Sequence, residues 1–228
     1  LRHPFFGNMA TRLKIIAADD WLPTAAVDGR NLYYNTQFFN AMNNKEIEFV
    51  VAHEILHMVF DHLGRREDRD PMIYNISADY IVNNTLVRDR IGTIPSIVSC
   101  YQDFKYEGWT SEEVYDDVYE QAKKNGEEYL KQLGEMLDEH LDMDEGDEGS
   151  SDGDMGEDGN GNATSKSKPK YSKEQEKQIK DEIKENMISA AQSAGAGNVP
   201  GAVQRIIKEL TEPKMNWREI IRQSVQST

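Results

Sequence analysis

His53, Glu54 and His57 stand in the order His-Glu-Ile-Leu-His inside an apolar stretch of the chain. Two histidines four apart on a helix lie about 40° from each other around its axis, so both imidazoles can reach one tetrahedral metal ion. The glutamate beside the first histidine then lies near a water on that metal. Zinc brings the pKa of such a water to about 7, and a neighbouring carboxylate can take its proton. That set of groups suits peptide-bond hydrolysis. The activated water attacks a carbonyl that the metal polarises, and Glu54 returns the proton to the leaving amine. Three fixed letters in five recur by chance in unrelated proteins. The setting adds weight: these polar residues interrupt a run so apolar that burying them without a partner would be costly.

Two residues compete to be the third ligand. His62 follows His57 by five, but a continued helix would put it about 180° from His53, on the opposite face. It reads as a structural or supporting group, with ligation as the lesser option. Asp79 is the preferred ligand, 22 residues past His57 on the next predicted helix. Its alternatives are a solvent-facing carboxylate or an acceptor for a histidine N–H. Asn75, Asn83 and Asn84 flank it and could orient the ligands. Tyr74 and Tyr80 could stabilise an oxyanion, though tyrosines in such helices more often pack in the core. Cys100 reads as a small buried residue, and Asp28 and Arg30 as turn formers.

The elements that must hold these groups follow from pattern and punctuation. Residues 4–18 predict a short helix from Met9, Leu13, Ile16 and Ala17. Leu22–Val27 and Arg30–Asn35 read as strands joined by an Asp28-Gly29 hairpin turn, and 36–43 as one or two helical turns. Lys45 to about Arg65 is the strongest helix, with Glu46 and Glu48 at its positive end. A second helix spans about 75–88, ahead of a loop over 91–108. Thr110 through Glu113 forms a capping-box pattern that opens a helix to about Lys123, followed by one over 126–141. Helices are also expected at 172–194, Pro200–Leu210 and 216–225, the last with Trp217, Ile220, Ile221 and Val225 as a packing face.

The net charge of −15 over 228 residues is local. Twelve acids fall between Glu135 and Asp158 with no Lys or Arg among them; removing them leaves 29 acids against 26 bases. The rest is nearly balanced and lacks the basic footprint of a nucleic-acid binder. Residues 142–170 are Asp, Glu, Gly, Ser and Asn in bulk and read as a disordered linker or exposed loop, without EF-hand spacing. No apolar run approaches the roughly 20 residues of a membrane helix, and the opening Leu1-Arg2-His3-Pro4 is not a secretory leader. One cysteine excludes an internal disulfide framework and suits a reducing, cytoplasmic setting.

Five stretches together resemble a known family, the metallopeptidase domain that often precedes a von Willebrand factor A-like domain in bacterial and phage proteins. They are His3 to Gly7, TAAVDGRNLYYN (24–35), FVVAHEILHMVFDHLGRRE (49–67), NISADYIVNNTL (75–86) and PKMNWREIIRQSV (213–225). The resemblance implies a zincin-like fold, zinc on His53, His57 and Asp79, and Glu54 as the catalytic carboxylate; His62 and Arg65 also match the family's extended motif, which implies a defined role for His62. It also implies a regulatory partner or an A-like domain. None follows Thr228, so the chain is expected either to be a piece of a longer protein or to act alone.

The expectation is an α/β protein in the α+β sense: a small, mainly antiparallel sheet packed on an active-site helix, helical overall. It divides into a zincin-like part (1–141), an acidic linker (142–170) and a C-terminal helical segment (171–228) that could pack back. The expected activity is a zinc-dependent peptidase acting on protein or peptide substrates, bound to neither nucleic acid nor membrane. The alternative is a latent or inactive zinc-bound scaffold.

Overall fold

The computed structural model describes residues 1–126, 129, 155–157, 162–167 and 169–212. The expected helices over 126–141 and 216–225, with the Trp217 face, lie outside the described residues apart from positions 126 and 129.

The helix that carries the histidines, α3 (Asn44–Val59), is fixed at its start by a capping box. The Asn43 side chain accepts the Lys45 and Glu46 N–H groups, and Glu46 reaches back to the Asn43 N–H at 2.9 Å. The other Glu46 oxygen accepts Ser96 N–H at 2.9 Å, and Glu48 accepts His3 N–H at 3.1 Å. From Val51 to Val59 every residue is buried, so this helix has no solvent face in its second half. It ends short of the expected Arg65. Asp61 takes the left-handed conformation (φ 50°) and redirects the chain into a single turn, α4 (His62–Arg65). Asp70 then caps α5 (Pro71–Arg88), with Pro71 at the first helical position, where its missing N–H costs nothing.

Ahead of α3 lie α1 (Pro4–Ala10), β1 (Lys14–Ala17), β2 (Ala25–Val27), β3 (Asn31–Tyr34) and the short α2 (Thr36–Asn40). The single helix expected over 4–18 is corrected: its second half is β1. Ile15 and Ile16 are β-branched, and β1 pairs in parallel with β3, Lys14 opposite Asn31 through Ala17 opposite Tyr34. Beyond α5 come α6 (Ser111–Asn125), opened by the Thr110–Glu113 capping box as the sequence indicates, then β4 (Met155–Glu157), β5 (Ala163–Ser165), α7 (Lys173–Ala194) and α8 (Gly201–Thr211).

The α+β class stands, but the sheet is mixed rather than mainly antiparallel. Its order is β2-β3-β1-β5-β4. The β2–β3 and β4–β5 pairs are antiparallel, while β1 runs parallel to both β3 and β5. Two of these strands arise inside the stretch read as linker. Pairing of Ala17 with Thr164 recruits β5 to the free side of β1, and Ser165 is buried.

Phe5 and Met9 of α1, Ile55 and Leu56 of α3, Val82 and Leu86 of α5, Met187 and Ala190 of α7 and Val203 of α8 share one core. Each large aliphatic side chain there contributes about 1.5–3 kcal/mol by leaving water. The C-terminal helices therefore pack directly on the helix that bears the histidines. The hairpin is tied to them as well. Asp28, buried at the β2–β3 turn, accepts the Arg30 and Asn31 N–H groups on one oxygen (2.9 and 2.7 Å). Its other oxygen accepts Asn31 Nδ2 at 2.9 Å, Tyr33 OH at 2.8 Å and Tyr171 OH at 2.5 Å. Arg30 grips Glu182 of α7 through two bonds of 2.8 and 2.7 Å. Gly29 has φ 97°, and a Cβ there would come within 2.4 Å of Ile179 on α7. Among the described residues no helix is long and apolar enough to cross a membrane.

Candidate metal centre

One turn of α3 separates His53 from His57, and both rings point at α5. Their Nε2 atoms lie 3.1 Å apart. Asp79 Oδ1 is 3.1 Å from His57 Nε2 and 3.5 Å from His53 Nε2. These three residues form a cluster able to hold a metal ion, with all ligand atoms within 4.8 Å of one another. A tetrahedral ion with bonds of about 2.0–2.1 Å sets its ligands about 3.3 Å apart, so the spacing fits. All three residues are buried, at 7%, 8% and 3% exposure.

The neighbours of the imidazoles support the same reading. Asn83 donates its Nδ2 to the Tyr101 carbonyl at 2.9 Å, which turns its Oδ1 toward His53. His53 Nδ1 sits 2.9 Å from that oxygen and must donate to it, leaving the Nε2 lone pair aimed at Asp79 and His57. On the other side His57 Nδ1 is 3.0 Å from His62 Nδ1, and His62 Nε2 is 2.9 Å from Ser111 Oγ. With His57 donating to His62 and His62 to Ser111, the His57 Nε2 also presents a lone pair. In that tautomer two imidazole lone pairs and a carboxylate oxygen converge within about 3.5 Å and repel one another unless a metal ion or a proton lies between them. A histidine whose far nitrogen is bonded in this way is the usual arrangement around a metal. The residues present fit a divalent ion.

Glu54 is buried on the same turn of α3 and lines a cavity on each side of it. One, of about 20 Å³, is shared with Ala25, His53, Asp79 and Asn83. The other, of about 40 Å³, is shared with Val27, His57 and Asn75. Each has room for a water or two beside the carboxylate. Strand β2 forms the opposite wall and is the last strand of its sheet. In its antiparallel register Ala26 faces Tyr33, and Asp28 N–H and the Thr24 carbonyl bond to β3. The backbone groups of Ala25 and Val27 therefore point outward, along the cavities.

The structure brings His53, His57 and Asp79 into one cluster, with Glu54, Asn83 and Asn75 lining the adjoining cavities. His62 is nearer than helix geometry allowed, because the left-handed Asp61 swings it back against His57. Arg65 holds α4 to α6 through two bonds to Glu112, 3.0 and 2.5 Å. Burial would raise the Glu112 carboxyl, but its own backbone amide and the Arg65 guanidinium outweigh that and hold it low. Asn84 turns away, donating to the Asp103 carbonyl. Neither Tyr74 nor Tyr80 lines the cavities beside Glu54. Tyr74 OH points at Glu112, and the Tyr80 ring packs against Tyr101 and Tyr106. Cys100 lines the smaller cavity and is only partly buried. Ser111 and Tyr101 were not flagged by sequence. Ser111 lies in a capping box that already accounts for it, and nothing local marks Tyr101.

With this geometry in place, comparison with known proteins gives the class. The whole chain, residues 1–228, matches the family described as "Putative metallopeptidase domain". The protein belongs to that family. No curated protein and no solved structure gives a significant match.

Proposed function

We propose that the protein is a zinc-dependent peptidase in which His53, His57 and Asp79 hold the metal and Glu54 is the general base. The observation that carries this reading is the convergence of two Nε2 atoms and one carboxylate oxygen within 3.1–3.5 Å of one another, beside a buried glutamate. An N₂O donor set suits zinc, which when bound acidifies water and polarises a carbonyl. Glu54, buried beside the cluster, would serve as the proton acceptor for a water there and as the donor to the leaving amine. Asn83 and His62 hold the two imidazoles in the tautomer with Nε2 facing the metal. The outward backbone groups of Ala25 and Val27 pair with an extended substrate, as an added strand does at a sheet edge. The cytoplasm, with its reducing chemistry, suits a chain with one cysteine.

A second reading is a latent or scaffold module. It draws on the small cavities beside Glu54, about 20 and 40 Å³, which hold water but not a polypeptide without movement of their walls. One comparison separates the two. Zinc-loaded wild type and Glu54→Gln are incubated with a denatured protein and fragments are counted by mass spectrometry. The peptidase reading expects cleavage by wild type, a loss of 10²–10⁴-fold in Glu54→Gln, and equal zinc in both. Equal cleavage by the two, or none by wild type, refutes it.

A further inference from the structure

Beyond His57 the cavity of about 40 Å³ adjoins a larger one. A cavity of about 500 Å³ lies between the end of α3, the start of α6 and the helices α7 and α8. Its size is that of a ligand site. It shares Met58, Asp61, His62, Lys180 and Ile183 with the cavity that reaches Glu54 and His57, so the two lie side by side. Its far wall is built by the C-terminal helices, with Ala202, Ile206 and Leu210 presenting apolar surface. Leu210 is 44% exposed and Trp109, on the opposite rim, 42%. Half-open apolar side chains on both rims of one cavity give an apolar group a place to bind.

We infer that this groove is the specificity site of the peptidase proposed above, and that it takes a bulky apolar side chain of the substrate on the amino side of the cleaved bond. The occupant is a peptide because the groove shares a wall with the cavity beside Glu54. The side follows from strand direction. Strand β2 runs from Ala25, beside His53, to Val27, beside His57. A substrate paired antiparallel to it runs from Val27 toward Ala25, so residues before the cleaved bond lie toward Val27, His57 and the groove. The helices α7 and α8 are then part of the substrate site.

The inference rests on the peptidase reading, and the test keeps the two apart. Zinc-loaded wild type and the variants Ala202→Phe, which fills the groove, and Leu210→Asp, a solvent-tolerated change at its rim, are given a mixture of random-sequence decapeptides. Cut sites are read by mass spectrometry. In parallel, binding of a fluorescein-labelled Leu-rich decapeptide and of its Ser-substituted counterpart is measured with zinc-loaded Glu54→Gln, with and without Ala202→Phe. The inference expects Leu, Met or Phe enriched before the cut. It also expects kcat/KM for such peptides to fall tenfold or more in both groove variants, and tighter binding of the Leu-rich probe that Ala202→Phe abolishes. Cleavage with no such enrichment, with enrichment after the cut, or unchanged in both variants overturns the groove and leaves the peptidase standing. No cleavage, but Leu-selective binding lost in Ala202→Phe, supports the groove as a peptide site and refutes the peptidase. Neither cleavage nor binding refutes both.

Discussion

Two buried carboxylates, one in the hairpin and one in α5, have almost the same exposure and opposite surroundings. Asp28 is 2% exposed and Asp79 3%. Asp28 accepts five hydrogen bonds, from its own turn, from Tyr33 and from Tyr171 at the head of α7. Asp79 faces two imidazole nitrogens, at 3.1 and 3.5 Å, each oriented from behind by another side chain. The first carboxylate meets N–H and O–H donors and joins two parts of the fold. The second faces two imidazole nitrogens, a donor set that a metal ion can bridge. Burial of a charge does not by itself mark function; the polarity of what faces it does.

The contrast can be broken at several points. Asp28→Asn turns an acceptor of five bonds into a group that also carries donors aimed at two hydroxyls. The expected cost is about 3 kcal/mol, read as a lower denaturant midpoint, with zinc per folded chain unchanged. A zinc loss matching Asp79→Asn would erase the distinction. Asn83→Leu and His62→Leu each remove the group behind one imidazole. Both are expected to weaken zinc binding 10–100-fold in a competition with a fluorescent chelator, while Asn84→Leu, whose amide turns away, does not. Tyr171→Phe deletes one bond to Asp28 and is expected to cost about 1–2 kcal/mol, with α7 cut earlier in limited proteolysis.

A pH effect follows from the same hairpin. Burial, with Asp28 adding to it, pushes the Tyr33 and Tyr171 phenols well above their ordinary range. The folded state then keeps protons that the unfolded chain gives up above about pH 10. This contribution is complete below that pH and is lost as the pH rises. Circular dichroism should show a fall in melting temperature above about pH 10, smaller in Tyr171→Phe.

The site was more legible than the frame around it, for a physical reason. His53, Glu54 and His57 are related by helix geometry, which is local, and Asp79 lies on the next helix of the same pattern. His62 was misplaced because a left-handed Asp61 cannot be read from hydrophobic spacing. Ser111 and Tyr101 reach the histidines through tertiary contacts that leave no local mark. The bond from Tyr171 to Asp28 spans 143 positions. Strand β5, only Ala163-Thr164-Ser165, owes its form to pairing with β4 and β1 rather than to its own composition.

The central claim is that His53, His57 and Asp79 form one metal centre. Its most direct test is elemental analysis of wild type, His57→Ala, Asp79→Asn and Asp28→Asn, purified alike and dialysed against equal zinc. The account predicts one zinc per chain in wild type and in folded Asp28→Asn, and a loss in both His57→Ala and Asp79→Asn, with circular dichroism showing those two folded. Wild type without stoichiometric metal, or Asp79→Asn retaining it in full, would contradict the account.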